Sequence, residues 1–141
     1  MKKRIPIILI LISAIAICVV IFFVTSKKDY HKQLNVDDIQ TAIAWSGFHN
    51  CEYQLKDEEV ETLAAVFNNT QCNQANDDFE GITPSYGIRV TFSSAETMTI
   101  NEAESSYGDV EVQRKIEGKL VSYWIDDDEL EICMKKVCFP K

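Results

Sequence analysis

The stretch DVEVQRKIEGKLVSYWID, residues 109–126, predicts a β-hairpin with Glu117 and Gly118 at its tip. A two-residue turn that contains glycine accepts the positive φ angles of tight hairpins. With that turn, pairing begins at Ile116 and Lys119 and continues outward along both strands. One face then collects three cross-strand pairs, which are Val110 with Ile125, Val112 with Tyr123, and Arg114 with Val121. Five of these six side chains are apolar, which favours this register over one shifted by a residue.

The same register turns Trp124 to the opposite face, across from Glu111, with Leu120 farther along the strand. An outward tryptophan beside a leucine is typical of a partner-binding surface, because tryptophan is frequent among the residues that dominate binding energy at interfaces. The alternative is that a helix or the N-terminal stalk covers this second face, which would make Trp124 a core residue. Both interpretations are compatible with the sequence.

Two segments have the apolar spacing of an amphipathic helix. The first spans Asp57 to Asn69 and begins with three acidic residues, which favour the positive end of the helix dipole. The second begins at Asp126 or Asp127, either of which can cap it, and is expected to end near Lys136. The apolar stripes are Val60, Leu63, Ala64 and Phe67 in the first, and Leu130, Cys133, Met134 and Val137 in the second.

Alternation of apolar and polar residues predicts four further strands, over residues 39–45, 51–55, 88–92 and 98–100, of which the last two form a second hairpin. The order is therefore strand, strand, helix, four antiparallel strands and helix. This order predicts an α+β fold with a single antiparallel sheet of about five to six strands and two helices packed on one face.

An apolar segment lies near the N-terminus, where Ile5 to Val24 gives 20 residues without a charge after three basic ones. At about 1.5 Å of rise per residue, such a helix spans about 30 Å, the thickness of a bilayer's hydrocarbon core. A short tail with three cations resists translocation, whereas a long domain translocates regardless of its charge. We therefore expect a single-pass cell-membrane protein whose parts are a cytoplasmic tail (1–4), a transmembrane helix (5–24), a juxtamembrane stalk (25–36) and an extracytoplasmic domain (37–141).

Cys18 raises the alternative of a lipoprotein. Ala16 and Cys18 match part of a lipobox, but Ile17 stands where a small residue is usual, and the apolar run continues to Val24. A cleaved signal peptide has a shorter apolar stretch that stops at the cleavage site. These features favour an uncleaved anchor, in which Cys18 is one more apolar residue.

The extracytoplasmic domain contains an even number of cysteines, Cys51, Cys72, Cys133 and Cys138. In a small exported domain this predicts two disulfides. A helix of about 12 residues runs back about 18 Å along the preceding strand, which favours pairing Cys51 with Cys72 and therefore Cys133 with Cys138. The spacing lacks the pairs typical of zinc sites, so we expect no metal and no cofactor.

The charge distribution limits the classes of partner. From Asp29 onward the chain has nine basic and 22 acidic residues, a net charge of 9 minus 22, or −13. We expect no nucleic-acid partner, because proteins that bind nucleic acids need a basic face. A cationic peptide or protein is the partner that this charge favours, and the alternative, which is the more common case, is that the charge serves only solubility.

The segment CNQANDDFEGITPSYG, residues 72–87, has no periodicity and many turn-forming residues. Loops of this length in a compact domain are usually functional or mobile. Together with the outward face of the hairpin, it supplies the candidate binding residues, which are Trp124, Leu120, Asp77, Asp78, Phe79 and Tyr86.

The sequence offers no strong catalytic motif. Cys51 lies two residues after His49, but we expect it in a disulfide, which removes the nucleophile. The leading hypothesis is a membrane-anchored extracytoplasmic binding module without catalytic activity. The alternative is an accessory subunit that contacts a membrane complex through residues 5–24.

Overall fold

A computed structural model describes residues 30–79 and 83–140 of the chain. The predicted cytoplasmic tail, the transmembrane helix, Cys18 and residues 25–29 of the predicted stalk lie outside the described residues. Within the two described ranges, no helix combines the length and the apolar character that crossing a membrane requires.

The described residues form seven strands and two α-helices, preceded by one 3₁₀ turn at Val36–Asp38. The strands are β1 (Ile39–Ser46), β2 (Cys51–Gln54), β3 (Gln74–Ala75), β4 (Tyr86–Phe92), β5 (Thr97–Ser105), β6 (Gly108–Ile116) and β7 (Lys119–Ile125). The helices are α1 (Asp57–Asn69) and α2 (Asp128–Cys138).

All the strands in the described residues belong to one antiparallel sheet with the order β2-β1-β4-β5-β6-β7-β3. The predicted α+β class, with a single antiparallel sheet and two helices, is confirmed. The expected number of strands was too low, because β3 has only two residues and lies within the segment predicted as a loop. A strand this short has no periodicity to reveal it.

The register of the β6–β7 hairpin is the one that the sequence predicts. Val110 pairs with Ile125, Val112 with Tyr123, and Glu111 with Trp124. The turn residues Glu117 and Gly118 have φ angles of 52° and 77°, as a tight two-residue hairpin turn requires. The hairpin therefore has one apolar face and one mixed face.

The hydrophobic core lies between the apolar face of the sheet and the two helices. Its fully buried large side chains include Phe67 and Leu63 of α1, Leu130 and Met134 of α2, and Tyr123 of β7. Helix α2 packs on β1, β4 and β6, and α1 lies beside α2. In β1 the two alanines Ala42 and Ala44 face this core. Their small side chains allow the helix layer to approach the strand closely.

The first described residues pack against the core. Leu34 is buried in it, and the Asn68 side chain bonds both the N–H of Leu34 (2.6 Å) and its carbonyl oxygen (2.9 Å). The His31 ring lies 4.6 Å from the Phe67 ring. These contacts are made by residues 30–35, which the sequence assigns to the stalk. This part of the predicted stalk therefore packs against the folded domain.

Helix α1 begins with a hydrogen-bonded carboxylate. Oε2 of Glu59 accepts the backbone N–H of Lys56 at 2.8 Å and the hydroxyl of Tyr53 at 2.9 Å. The bond from the Lys56 N–H is the main reason why the pKa of Glu59 lies below its ordinary value. The Glu59 carboxylate thus satisfies one of the backbone donors that a helix start leaves unpaired.

We expect Glu59→Ala to lower the free energy of unfolding by about 1 kcal/mol at neutral pH, as the loss of a cap does. Glu61→Ala, at an exposed position of the same helix, should change it by less than about 0.5 kcal/mol. Because the folded pKa of Glu59 is lowered, its stabilisation is complete above the ordinary glutamate pKa and is lost as the pH falls through the lowered value. Urea unfolding of both variants at neutral and acidic pH measures this, and a loss independent of pH would contradict it.

Candidate functional site

The face of the sheet opposite the helices contains a cleft of about 460 Å³, which we call the acidic cleft. It lies between residues 73–78, which contain β3 and which we call the β3 segment, and the connection from β5 to β6. The described residues that line it include five carboxylic acids and no Lys, Arg or His. The lining residues are Gln74, Ala75, Asn76, Asp77, Asp78, Glu102, Ala103, Glu104, Ser105, Ser106, Tyr107, Glu111 and Trp124.

One wall of the acidic cleft is a segment held along the free edge of β7. The N–H of Asn73 donates to the Trp124 carbonyl oxygen at 2.8 Å, and the N–H of Asn76 donates to that of Ser122 at 2.8 Å. The Asn73 side chain also donates to the carbonyl oxygen of Tyr107, which follows β5. Backbone pairing therefore positions the acidic residues that follow Asn76.

The floor contains a buried carboxylate. Glu111 is only 6% exposed, and its Oε1 accepts hydrogen bonds from Ser122 Oγ (2.6 Å), Asn76 Nδ2 (3.1 Å) and Gln113 Nε2 (3.1 Å). A carboxylate taken out of water requires such donors. Glu111 therefore connects β6, β7 and the β3 segment, and this oxygen is already engaged within the protein.

The other carboxylates differ in how far they are available to a ligand. Glu102 pairs with Val110 of the helix-covered face, and its Oε2 accepts the backbone N–H of Ser85 at 2.8 Å, so it is not available to a ligand in the cleft. Asp77, Asp78 and Glu104 are exposed, and Asp77 Oδ1 also accepts the Tyr30 hydroxyl at 3.2 Å. Three exposed carboxylates around one concave surface create a negative potential that attracts cations.

A second hollow of about 400 Å³ lies at the other end of the same face, around Trp45 and Arg89. Here Arg89 Nη1 lies 3.8 Å from Glu52 Oε1, so a basic residue offsets the negative charge. Trp45 and Ile43 are half-buried on this face, because β1 turns its smaller alanines toward the helices. Of these two hollows, the acidic cleft is therefore the one with a net negative charge among the described residues that line it.

Three of the sequence-predicted binding residues, Trp124, Asp77 and Asp78, meet at the acidic cleft. Trp124 lies on the helix-free face as expected, but it is only 4% exposed, and the β3 segment pairs beside it. It contributes to the packing of the floor. Phe79 is exposed directly after Asp78, with a φ of 53°.

The remaining predicted binding residues, Leu120 and Tyr86, like Phe79, do not line the cleft. Leu120 is 53% exposed and pairs with Lys115 close to the hairpin tip. Tyr86 is a correction to the sequence-based interpretation. It is the first residue of β4, is 3% exposed and packs 5.2 Å from the Phe139 ring, so it is a core residue. Burial raises its pKa far above the ordinary tyrosine value.

Sequence reasoning missed the acidic residues contributed by β5 and β6, which are Glu102, Glu104 and Glu111. For Glu111 a signal existed, because the predicted hairpin register already placed it opposite Trp124. Glu104 lies near a register irregularity between Glu102 and Ser105, which strand alternation does not anticipate.

The four cysteines of the domain all lie within the described residues. No disulfide joins any two of the four cysteines of the described chain, so the predicted pairing stays a prediction. Burial raises the pKa of the Cys133 thiol, and that of Cys138 to about 11. Within the described ranges, no group of three or more His, Cys, Asp or Glu side chains is placed to hold a metal ion.

Comparisons of the chain with protein-family models, with curated proteins and with solved structures found no match.

We expect Trp124→Ala to lower the free energy of unfolding by about 3 to 5 kcal/mol, because it removes a large buried side chain. Leu120→Ala, on the same face of the same strand but exposed, should cost less than about 0.5 kcal/mol. Denaturant unfolding of the two variants makes the comparison. Equal stability of both variants would mean that Trp124 does not pack as the structure has it.

Proposed function

We propose that this protein is a membrane-anchored, extracytoplasmic binding module that receives a positively charged group of a peptide or protein partner in the acidic cleft, without a catalytic step. The observation that carries the proposal is the lining of the cleft, in which Asp77, Asp78 and Glu104 are exposed carboxylates and none of the described lining residues is basic. A cleft of about 460 Å³ is within the range of ligand sites, about 300 to 1,000 Å³.

The arrangement of the exposed groups suits a basic side chain. Asp77 and Asp78 provide carboxylates on one wall, and the half-exposed ring of Tyr107 lies on the other. A lysine or arginine can place its charged end at the carboxylates and its apolar stem, or the cation itself, against an aromatic ring. The recognition that we propose therefore combines charge with aromatic contact.

The charge of the whole domain supports the same class of partner. From Asp29 onward the net charge is −13, from nine basic and 22 acidic residues. A field of this sign increases the rate at which cations arrive, and salt weakens the effect because the Debye length is about 8 Å at physiological ionic strength. Long-range attraction would bring the partner to the domain, and the cleft would select where it binds.

The test exchanges the exposed carboxylates of the cleft for amides. The double variant Asp77→Asn, Asp78→Asn should weaken binding of a nona-lysine peptide by about 2- to 30-fold at low salt, the sum of two exposed charge pairs. The matched control is Asp57→Asn, Glu58→Gln, which removes the same charge from exposed positions of α1 on the other side of the sheet. It should leave the affinity nearly unchanged. Isothermal titration calorimetry measures both.

Equal weakening by the two double variants would show that only overall charge matters and would contradict a specific site. Unchanged affinity in the cleft variant would remove the cleft from the proposal. Binding of the nona-lysine peptide that persists undiminished in high salt would contradict the electrostatic part.

The membrane part of the proposal rests on residues 5–24 and has its own test. We expect a protease added to intact cells to remove the domain that follows the anchor, because that domain lies outside the membrane. The mass of the purified full chain should include an unmodified Met1–Arg4 segment. Protection from the protease would contradict the orientation, and a chain that begins at a lipidated Cys18 would identify a lipoprotein instead.

A further inference from the structure

The last residues of α2 and Phe139 cover the turn that joins β1 to β2. The Phe139 ring lies 5.5 Å from the His49 ring and 6.4 Å from the Phe48 ring, and both of these belong to that turn. Beside Phe139, the Cys138 Sγ lies 3.4 Å from the carbonyl oxygen of Gly87 in β4. Cys138 is therefore buried at the end of the sheet where β2 begins.

Cys51 is the first residue of β2, and it faces the same side. It pairs directly with Ser46 of β1, which in turn pairs with Tyr86 of β4. Ser46 is buried and shares the strand parity of Ala44, which faces the helices. Because directly paired residues point to the same side of a sheet, this register turns the Cys51 side chain to the helix side. Cys51 is exposed in the edge strand β2 and also lines the hollow around Trp45. Burial is the main reason why the pKa of Cys138 is raised, and both Cys51 and Cys133 are close enough to add to it.

A Cys133–Cys138 bond does not fit the observed helix. Both residues lie in α2, which continues through Cys138 rather than ending near Lys136. On an α-helix of radius about 2.3 Å and rise about 1.5 Å, two Cα atoms five residues apart are separated by about 8.7 Å. Cysteines whose Cα atoms are more than about 7 Å apart cannot be bridged without moving the backbone.

Cys72 lies at the other end of α2. It lines a hollow together with Asp126 and Asp127, and Asp127 is the N-cap of that helix. A helix of 11 residues is about 16 Å long, so Cys72 and Cys138 are near opposite ends of it. Since Cys51 lies by the Cys138 end, the geometry separates Cys51 from Cys72.

We infer that Cys51 and Cys138 form a disulfide when the domain meets a disulfide oxidant. The bond would join positions 138 and 51, which are 87 residues apart, and would tie the short edge strand β2 to the end of α2. This site is on the helix side of the sheet, so the inference does not depend on the acidic cleft or on its ligand.

The chemistry is thiol–disulfide exchange with a low-molecular-weight or protein disulfide, R–S–S–R. The exposed Cys51 thiol loses its proton, and its sulfur attacks one sulfur of the oxidant, which forms a mixed disulfide and releases R–S⁻. The Cys138 thiol then loses its proton to water, attacks the Cys51 sulfur and releases the second R–S⁻. Two protein thiols are oxidised to one disulfide, and R–S–S–R is reduced to two R–SH.

The experiment maps the bond in the full chain. The protein is incubated with oxidised glutathione, remaining thiols are alkylated with iodoacetamide under denaturing conditions, and the unreduced protein is digested with trypsin. Cleavage after Lys and Arg places each cysteine of the domain on its own peptide, which are 33–56 for Cys51, 57–89 for Cys72, 120–135 for Cys133 and 137–141 for Cys138. We expect mass spectrometry to find peptide 33–56 linked to peptide 137–141 within monomers.

Peptide 33–56 linked to 57–89, peptide 137–141 linked to 120–135, or alkylation of Cys51 and Cys138 after oxidation would each overturn the inference. So would a 33–56 to 137–141 link found only in covalent dimers. Two single variants provide matched controls: Cys51→Ser should abolish the link to peptide 137–141, and Cys133→Ser should retain it. Because the map of the unaltered chain already decides the question, a variant that fails to fold does not leave it open.

Discussion

The burial of the paired side chains on one face of the β6–β7 hairpin is the constraint on which the rest of the structure depends. Val110 with Ile125 and Val112 with Tyr123 are all fully buried under the helices. A register shift of one residue would turn these side chains to the other face and expose them to water. The same constraint directs Glu111 and Trp124 to the helix-free face, so the position of the acidic cleft follows from the packing of the core.

The acidic cleft also depends on contacts that connect distant parts of the chain. Glu111 accepts hydrogen bonds from Asn76, Gln113 and Ser122, which belong to three different segments of the fold. A buried carboxylate without these donors would be strongly unfavourable. The β3 segment is therefore held both by backbone pairing with β7 and by a charged group in the floor, which keeps the exposed Asp77 beside the sheet.

Periodicity explains which parts of this fold and site are predictable. Both helices and the β4–β5 and β6–β7 hairpins have an apolar face long enough to be read from the sequence, and each is present in the structure. The two-residue strand β3 has no such pattern, and without it the sequence leaves open whether Trp124 is exposed or buried. The turn-forming residues 72–87 predict a single loop that includes Tyr86, whereas its pairing with Ser46 makes Tyr86 part of the sheet. The cleft thus follows in part from local alternation and in part from non-local pairing that one sequence does not reveal.

The cysteines illustrate the same limit in the helix layer. Pairing by sequence proximity assumes that α1 returns to the start of β2 and that α2 ends before Cys138. In the structure the two helices are antiparallel: Lys136, near the end of α2, helps to lower the pKa of Glu59 at the start of α1, and Cys72, beyond the end of α1, lies by the N-cap Asp127 of α2. This arrangement places Cys51 near Cys138 at the end of α2, whereas Cys72 lies near the start of α2. Because the sheet separates this pair from the acidic cleft, the cross-link can stabilise the domain while the opposite face remains open to a partner.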